Sequence, residues 1–193
     1  MKITSINATP FRDYDNHEMI HECIDEDSGL KAYIAIHNRN LGPALGGCRI
    51  WPYASSEEAI TDVLRLSRGM TYKSAMAELP LGGGKAVILA DPKRQKTKEM
   101  LLAMGDFVES HGGSYITAED SGTSVEDLQL IGQRTKHVAG VTLKQLKDGS
   151  CVSGDPSPST AYGVFVGIKA SAGFRLGSAR DSSSLEGLKV AIQ

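Results

Sequence analysis

Between Ser55 and Val141 the chain alternates stretches of helical apolar spacing with short strand-like runs, separated only by turns of a few residues. That alternation confines the fold class to α/β, a layered sheet with flanking helices. Ser55-Ser56-Glu57-Glu58 opens a helix at capping-box spacing, and Ile60, Val63, Leu64 and Ser67 carry it to about Ala75. Pro80-Leu81-Gly82-Gly83-Gly84 breaks it, and Ala86 to Ala90 reads as a buried strand ended by Asp91-Pro92. A second helix is expected over about Lys96 to Ser110 and a strand over Tyr115 to Glu119. Ser124 with Asp127 opens a third helix, and His137 to Val141 is a further short apolar segment.

The flanking regions differ in character. His17 to Ile24 alternates polar and apolar residues, Asp25 to Gly29 supplies turn residues, and Leu30 to Ile36 resumes as a strand, which together read as a hairpin. Asn38 to Gly47 reads as a glycine-containing loop. The sheet domain is expected to occupy 1–140. Residues 141–193 are polar and glycine-containing at first. A helix follows, with Ser157 as its cap and Pro158 in its first position, and then a strand-like ending at Leu188 to Gln193. One helix and one strand cannot build a core of their own, so this segment reads as a linker and the opening of a second domain.

Composition excludes several classes. Lys and Arg number 21 against 23 Asp and Glu, a formal charge of −2 that offers no general attraction to nucleic acid or anionic lipid. No apolar run exceeds five residues, whereas a spanning helix needs about 20. Three widely spaced cysteines, Cys23, Cys48 and Cys151, show no disulfide framework or zinc pattern. The expectation is a soluble cytoplasmic protein without a metal. His17 and His21, four residues apart on one expected strand face, lack a third ligand at usable spacing and are expected to be solvated.

The unusual chemistry lies in Gly69-Met70-Thr71-Tyr72-Lys73 and Leu81-Gly82-Gly83-Gly84-Lys85. Three successive glycines allow close backbone approach to a ligand, or simply make a tight turn with Lys85 at the surface. An ATP-binding loop fails on spacing, because Leu79 and Ala86 stand where that motif needs Gly and Ser or Thr. Asp120 directly follows an expected strand, where it either caps a loop or binds a ligand at the edge of the sheet. Tyr72 and Met70 are expected to pack, and Lys93, Arg94, Lys96 and Lys98 to form a solvated helix entry. His111 is expected at a helix end.

Five ordered motifs resemble the glutamate/leucine/phenylalanine/valine dehydrogenase family, nearest its leucine and valine branch. They are Leu41 to Arg49, Met70 to Lys73, Pro80 to Lys85, Thr117 to Thr123 and Gly154 to Pro158. The resemblance implies oxidative deamination of an L-amino acid to its 2-oxo acid and ammonia, with NAD as hydride acceptor. It implies that Lys73 binds the substrate α-carboxylate, Lys85 is the catalytic lysine, and Asp120 handles a proton on the substrate nitrogen. Gly46 and Gly47 would contact substrate through the backbone, and Leu45 and Ala118 would line the side-chain pocket. Glutamate-specific members resemble one another in carrying lysine at the position of Leu45, so an apolar, branched side chain is implied here. Thr160 matches a threonine near the nicotinamide, or simply caps its helix, and Arg49 is open between a structural and a functional role.

A complete member would continue from Lys189-Val190-Ala191-Ile192-Gln193 into Gly-x-Gly-x-x-Gly, which occurs nowhere in the 193 residues. Residues 141–193 are therefore expected to be an incomplete Rossmann-domain stub, and the chain alone to be inactive. Homo-oligomerisation is implied by the resemblance. The alternative reading is a non-catalytic amino-acid-binding or assembly module built on the same fold.

Overall fold

The computed structural model describes residues 1–142, 144–145, 151–152, 154–176 and 185–191. Among them eight strands and four helices follow one another as β1 (Lys2–Ser5), β2 (Met19–Asp25), β3 (Leu30–Asn38), β4 (Ala44–Trp51), α1 (Ser56–Met76), β5 (Gly82–Leu89), α2 (Lys98–Glu109), β6 (Tyr115–Glu119), α3 (Val125–Ile131), β7 (Lys144–Gln145), β8 (Cys151–Val152) and α4 (Ser157–Leu176). Two compact units divide at Gly154 and Asp155.

In the first unit one open sheet of six strands runs β1-β2-β3-β5-β4-β6, and β7 pairs with β8 in a separate two-stranded ribbon. β1, β2, β3 and β5 pair antiparallel in turn, whereas β4 is parallel to both β5 and β6. The expected β2–β3 hairpin is present, with Asp25 opposite Leu30 at its turn. β5 lies inside the sheet and is buried along nearly its whole length, as a strand covered on both faces must be. Its residues divide by alternation: Ala86 and Ile88 join the core formed with Leu101, Met104, Phe107 and Leu128 of α2 and α3. Val87 joins the opposite core, with Ala59, Ile60, Val63 and Leu64 of α1.

The helix starts follow the sequence signals. Ser55 accepts from the Glu58 backbone N–H, and Ser124 and Asp127 form a reciprocal capping box. Several expectations are corrected. β4 begins at Ala44, so the later part of the expected glycine loop is strand, and Gly82 to Gly84 open β5 instead of forming a turn. Glycine is needed at these points for close approach, not for turning. A Cβ on Gly46 would stand 1.7 Å from the Gly84 carbonyl oxygen, and one on Gly83 would stand 2.1 Å from the Thr71 nitrogen of α1.

His17 lies before β2 and is buried, its Nε2 2.9 Å from the Leu64 carbonyl oxygen. His21 is in β2, 3.2 Å from His111 Nε2, and neither is a freely solvated side chain. His111 does meet the end of α2, with Nδ1 2.8 Å from the Phe107 carbonyl oxygen. Lys96 leaves the solvated cluster to bond the Asp127 carboxylate at 2.6 Å and the Gly122 carbonyl at 3.2 Å. Tyr72 is 59% exposed and does not pack into the core. β1, all exposed, carried no sequence signal of its own and adds to the sheet only by pairing with β2.

In the second unit α4 spans the expected helix. Asp155 Oδ1, not Ser157, accepts the first free N–H, that of Ser157, at 2.8 Å. Leu188 to Ala191 form no strand among the described residues, since apolar sequence alone makes no ladder without a paired neighbour. Ile192 and Gln193 of that expected strand lie outside the described residues, as does most of the polar linker. No described helix is long and apolar enough to cross a membrane.

Candidate active site

The three parallel strands present one set of side chains toward α1. Cys48 and Ile50 of β4 belong to the α2/α3 core, so strand alternation turns Leu45, Gly47 and Arg49 to the α1 face. Lys85 of β5 shares that face with Val87. Along β6 the register sets Gly47 beside Ala118 and Leu45 beside Ile116, and alternation carries Ala118 and Asp120 to the same side.

Lys85 and Asp120 meet there. Lys85 Nζ donates to Asp120 Oδ2 at 2.5 Å, with the lysine side chain only 6% exposed. Burial disfavours the charged ammonium and pulls the Lys85 pKa below its ordinary value, although Asp120 pulls the other way. Burial alone would raise the Asp120 carboxyl. Lys85 outweighs it, aided by the Ser121 backbone and Arg49, and the group is held below the usual carboxylate range. The result is a lysine able to lose its proton nearer neutrality, beside a carboxylate that is ionised in the absence of a ligand and so open to accept a proton.

The backbone around the pair is fixed. Thr123 Oγ1 accepts the Asp120 N–H at 2.9 Å and stands 2.9 Å from the carbonyl oxygens of Cys48 and Asp120, anchoring the turn after β6. Tyr115, fully buried, donates to the Gly46 carbonyl at 2.8 Å and so holds the Gly46-Gly47 segment from behind. Gly47 leaves the space that the pair occupies, since a Cβ there would lie 2.6 Å from the Asp120 Cβ and 3.2 Å from Lys85 Nζ.

Lys73 belongs to the last turn of α1, the helix that crosses this face and touches β5 where Gly83 meets Thr71. It is exposed and forms no ion pair with the described residues, leaving a cation free to take an external carboxylate. Thr160 lies in the second unit, in the first turn of α4, where its N–H donates to the Pro156 carbonyl.

Sequence reasoning left Arg49 undecided and missed Asp62 and Tyr53. Arg49 Nε donates to Asp120 Oδ2 at 3.1 Å and Nη1 to Asp62 Oδ2 at 2.9 Å, and the Tyr53 hydroxyl donates to the same Asp62 oxygen at 2.6 Å. Arg49 had a usable signal, because period two places it on the Gly47 face. Asp62 and Tyr53 had none. A cleft of about 400 Å³ opens beside Asp120, with Arg49, Tyr53, Asp62 and Ser121 among its walls.

An α/β sheet thus carries, on its helix-covered face, a lysine–aspartate ion pair whose two groups can hold or give up a proton. The comparisons give the family. Residues 17–137 match the model of the Glu/Leu/Phe/Val dehydrogenase, dimerisation domain, and the chain belongs to that family. It is 54% identical over 180 residues to leucine dehydrogenase of Thermoactinomyces intermedius, covering 93% of this chain and 46% of that one. It is 49% identical to valine dehydrogenase of Streptomyces virginiae, over 93% of this chain and 48% of the relative. The crystal structure of L-tryptophan dehydrogenase from Nostoc punctiforme superposes with a TM-score of 0.65 at 45% identity, covering 86% of this chain and 44% of that one. The chain thus spans about half the length of the relatives it matches.

Proposed function

We propose that these residues form the substrate-binding and catalytic half of an NAD-dependent dehydrogenase that deaminates apolar L-amino acids to their 2-oxo acids. The observation that carries this reading is the Lys85–Asp120 pair, its lysine buried, on the strand face that also carries Gly47, Leu45 and Ala118.

In this reading Lys73 takes the substrate α-carboxylate as a fixed positive charge. Asp120 accepts a proton from the substrate nitrogen. Lys85, with its depressed pKa, removes a proton from the water that adds to the imine carbon, and returns it as ammonia departs. The nicotinamide of NAD is the hydride acceptor that oxidation of the amine to the imine requires. The described residues do not fit the dinucleotide's pyrophosphate. The space above Gly82, Gly83 and Gly84 is filled by Asn38, Thr71 and Tyr115, so the triple glycine is not a phosphate cradle. Cofactor binding is accordingly assigned to the whole protein, with Thr160 proposed to lie near the nicotinamide.

Leu45 and Ala118 offer no partner for a second carboxylate, whose burial unpaired would be costly. Leucine, valine or isoleucine is therefore the preferred substrate class. The relatives' names, which include leucine, valine and tryptophan dehydrogenases, support an apolar pocket. The dimerisation domain named for the matched family supports a homo-oligomer, and the cytoplasm is the compartment this chemistry implies.

The test is a chimera joining these residues to the dinucleotide-binding half of a relative, assayed for kcat/KM on leucine, valine, phenylalanine and glutamate. NAD-dependent turnover that is lost in Lys85→Met and in Asp120→Asn is expected. Turnover unaffected by either substitution would overturn the assignment.

A further inference from the structure

Asp120 is held by two cations of different kinds. Lys85 Nζ and Arg49 Nε both donate to its Oδ2, at 2.5 and 3.1 Å. A lysine can lose its proton, whereas a guanidinium does not deprotonate in proteins. When Lys85 gives up its charge during a reaction, Arg49 remains the cation on that oxygen. Arg49 is itself oriented from the other side, since Nη1 donates to Asp62 Oδ2 at 2.9 Å and the Tyr53 hydroxyl caps that same oxygen at 2.6 Å. The planar fork therefore spans two carboxylates, one from the turn after β6 and one from α1, a task a point-charge ammonium cannot perform.

We propose that Arg49 is the positioning residue of the site: it keeps Asp120 ionised and aimed while Lys85 changes protonation, and Asp62, anchored by Tyr53, sets how much of the guanidinium charge Asp120 receives. The proposal rests on Asp120 being the proton-handling group of the reading above. Its electrostatic surroundings are Lys85 on β5, Arg49 and the Cys48 thiol on β4, and the buried Tyr115 hydroxyl on β6, with Asp62 of α1 and Tyr53 of the loop after β4 reaching it through Arg49. The Cys48 thiol is pushed up to about 12 by burial and stays neutral. Arg49 feels burial first, but the Asp120 and Asp62 carboxylates reverse its effect and raise its pKa, as expected for a cation shared between two anions.

The two partners of Arg49 make opposite predictions. Removing the guanidinium takes a positive charge from Asp120 and raises its titration midpoint. Removing the Asp62 charge takes away a competing anion and lowers that midpoint. A merely structural role gives no such opposition, because loosening either residue would free Asp120 and move its midpoint upward in both cases.

The experiment follows the Asp120 side-chain carboxyl by carbon-13 NMR across pH in the 193-residue chain, as wild type, Arg49→Met, Arg49→Lys and Asp62→Asn. The expected result is an upward shift of roughly one pH unit in Arg49→Met, a smaller upward shift in Arg49→Lys, and a downward shift in Asp62→Asn. An unchanged or raised midpoint in Asp62→Asn overturns the proposal, as does an unchanged midpoint in Arg49→Met. Should Arg49→Met not fold, Asp62→Asn decides alone. None of these readings needs turnover, so an inactive chimera would count against the dehydrogenase reading and leave the Arg49 result standing.

Discussion

A Cβ on Gly47 would stand 2.6 Å from the Cβ of Asp120, closer than real side chains approach. The missing side chain on β4 is thus the space in which the Lys85–Asp120 pair forms. Gly47→Ala must push β6 or the Asp120 turn away, and the nearest alternatives, the Glu119 carbonyl at 2.8 Å and Lys85 Nζ at 3.2 Å, leave no relief. We expect a loss of stability of about 1–3 kcal/mol from overpacking, together with loss of at least roughly tenfold in kcat of the chimera as the pair separates. Thermal unfolding and steady-state kinetics check the two effects separately. An alanine variant with wild-type kcat would show that the close approach is irrelevant to the site.

Lys85 makes a prediction at alkaline pH. Its folded pKa lies below the ordinary 10.5 because it is buried. Between that depressed value and 10.5 the unfolded chain binds more protons than the folded one, so stability rises with pH across this window. Lys85→Met removes the titrating group and should flatten the rise. The measurement is chemical denaturation from neutral pH to about pH 10, with wild type and variant compared at each step. A parallel rise in both proteins would assign it to another group.

Asp120 acts at the other end of the scale. Its folded pKa is depressed, chiefly because Lys85 overcomes the effect of burial. The stability this contributes is present above the unfolded carboxyl value and is lost as pH falls through the folded value. With Lys85→Met the folded value rises and the window narrows, so less stability remains to be lost to acid. The partial exposure of Asp120, 22% of its side chain, keeps the effect modest. Acid titration of unfolding in wild type, Lys85→Met and Asp120→Asn distinguishes this from a global acid effect, which all three would share.

The sequence carried the elements whose signals are local. Ser55 and Ser124 cap α1 and α3 as side-chain acceptors of a backbone N–H, and the spacing of Ile60, Val63 and Leu64 put one side of α1 in the core. What it could not show was long-range. Gly46 and Gly83 look like turn residues until Gly84 and Thr71 are brought against them. His17 reads as a solvated histidine until Leu64, 47 residues away, supplies its partner. Lys85 and Asp120 were identified through ordered motifs, whereas Asp62 and Tyr53 belong to no such motif and became visible only when α1 was laid across β4.

The last prediction concerns what the pocket accepts. Leu45 and Ala118 lie on the face of the Lys85–Asp120 pair, on neighbouring strands two residues apart in register. Both are partly buried, so a side chain entering there meets hydrocarbon from β4 and β6. Replacing Leu45 with lysine would put an ammonium at the position where glutamate-specific members of the family resemble one another in carrying one. A distal carboxylate, otherwise unpaired, then gains a counter-charge, while an aliphatic side chain loses its apolar wall and faces a desolvated cation. In the chimera we expect Leu45→Lys to lower kcat/KM for leucine by roughly tenfold or more and to raise it for glutamate, since one buried polar mismatch costs about 1–3 kcal/mol. Ala118→Leu should instead fill the space without adding charge, lowering kcat/KM for leucine and valine and leaving glutamate poor. The ratio of the glutamate and leucine constants is the deciding quantity. If Leu45→Lys leaves that ratio unchanged, the side-chain pocket does not include Leu45, and specificity must be set by residues of the protein outside this face.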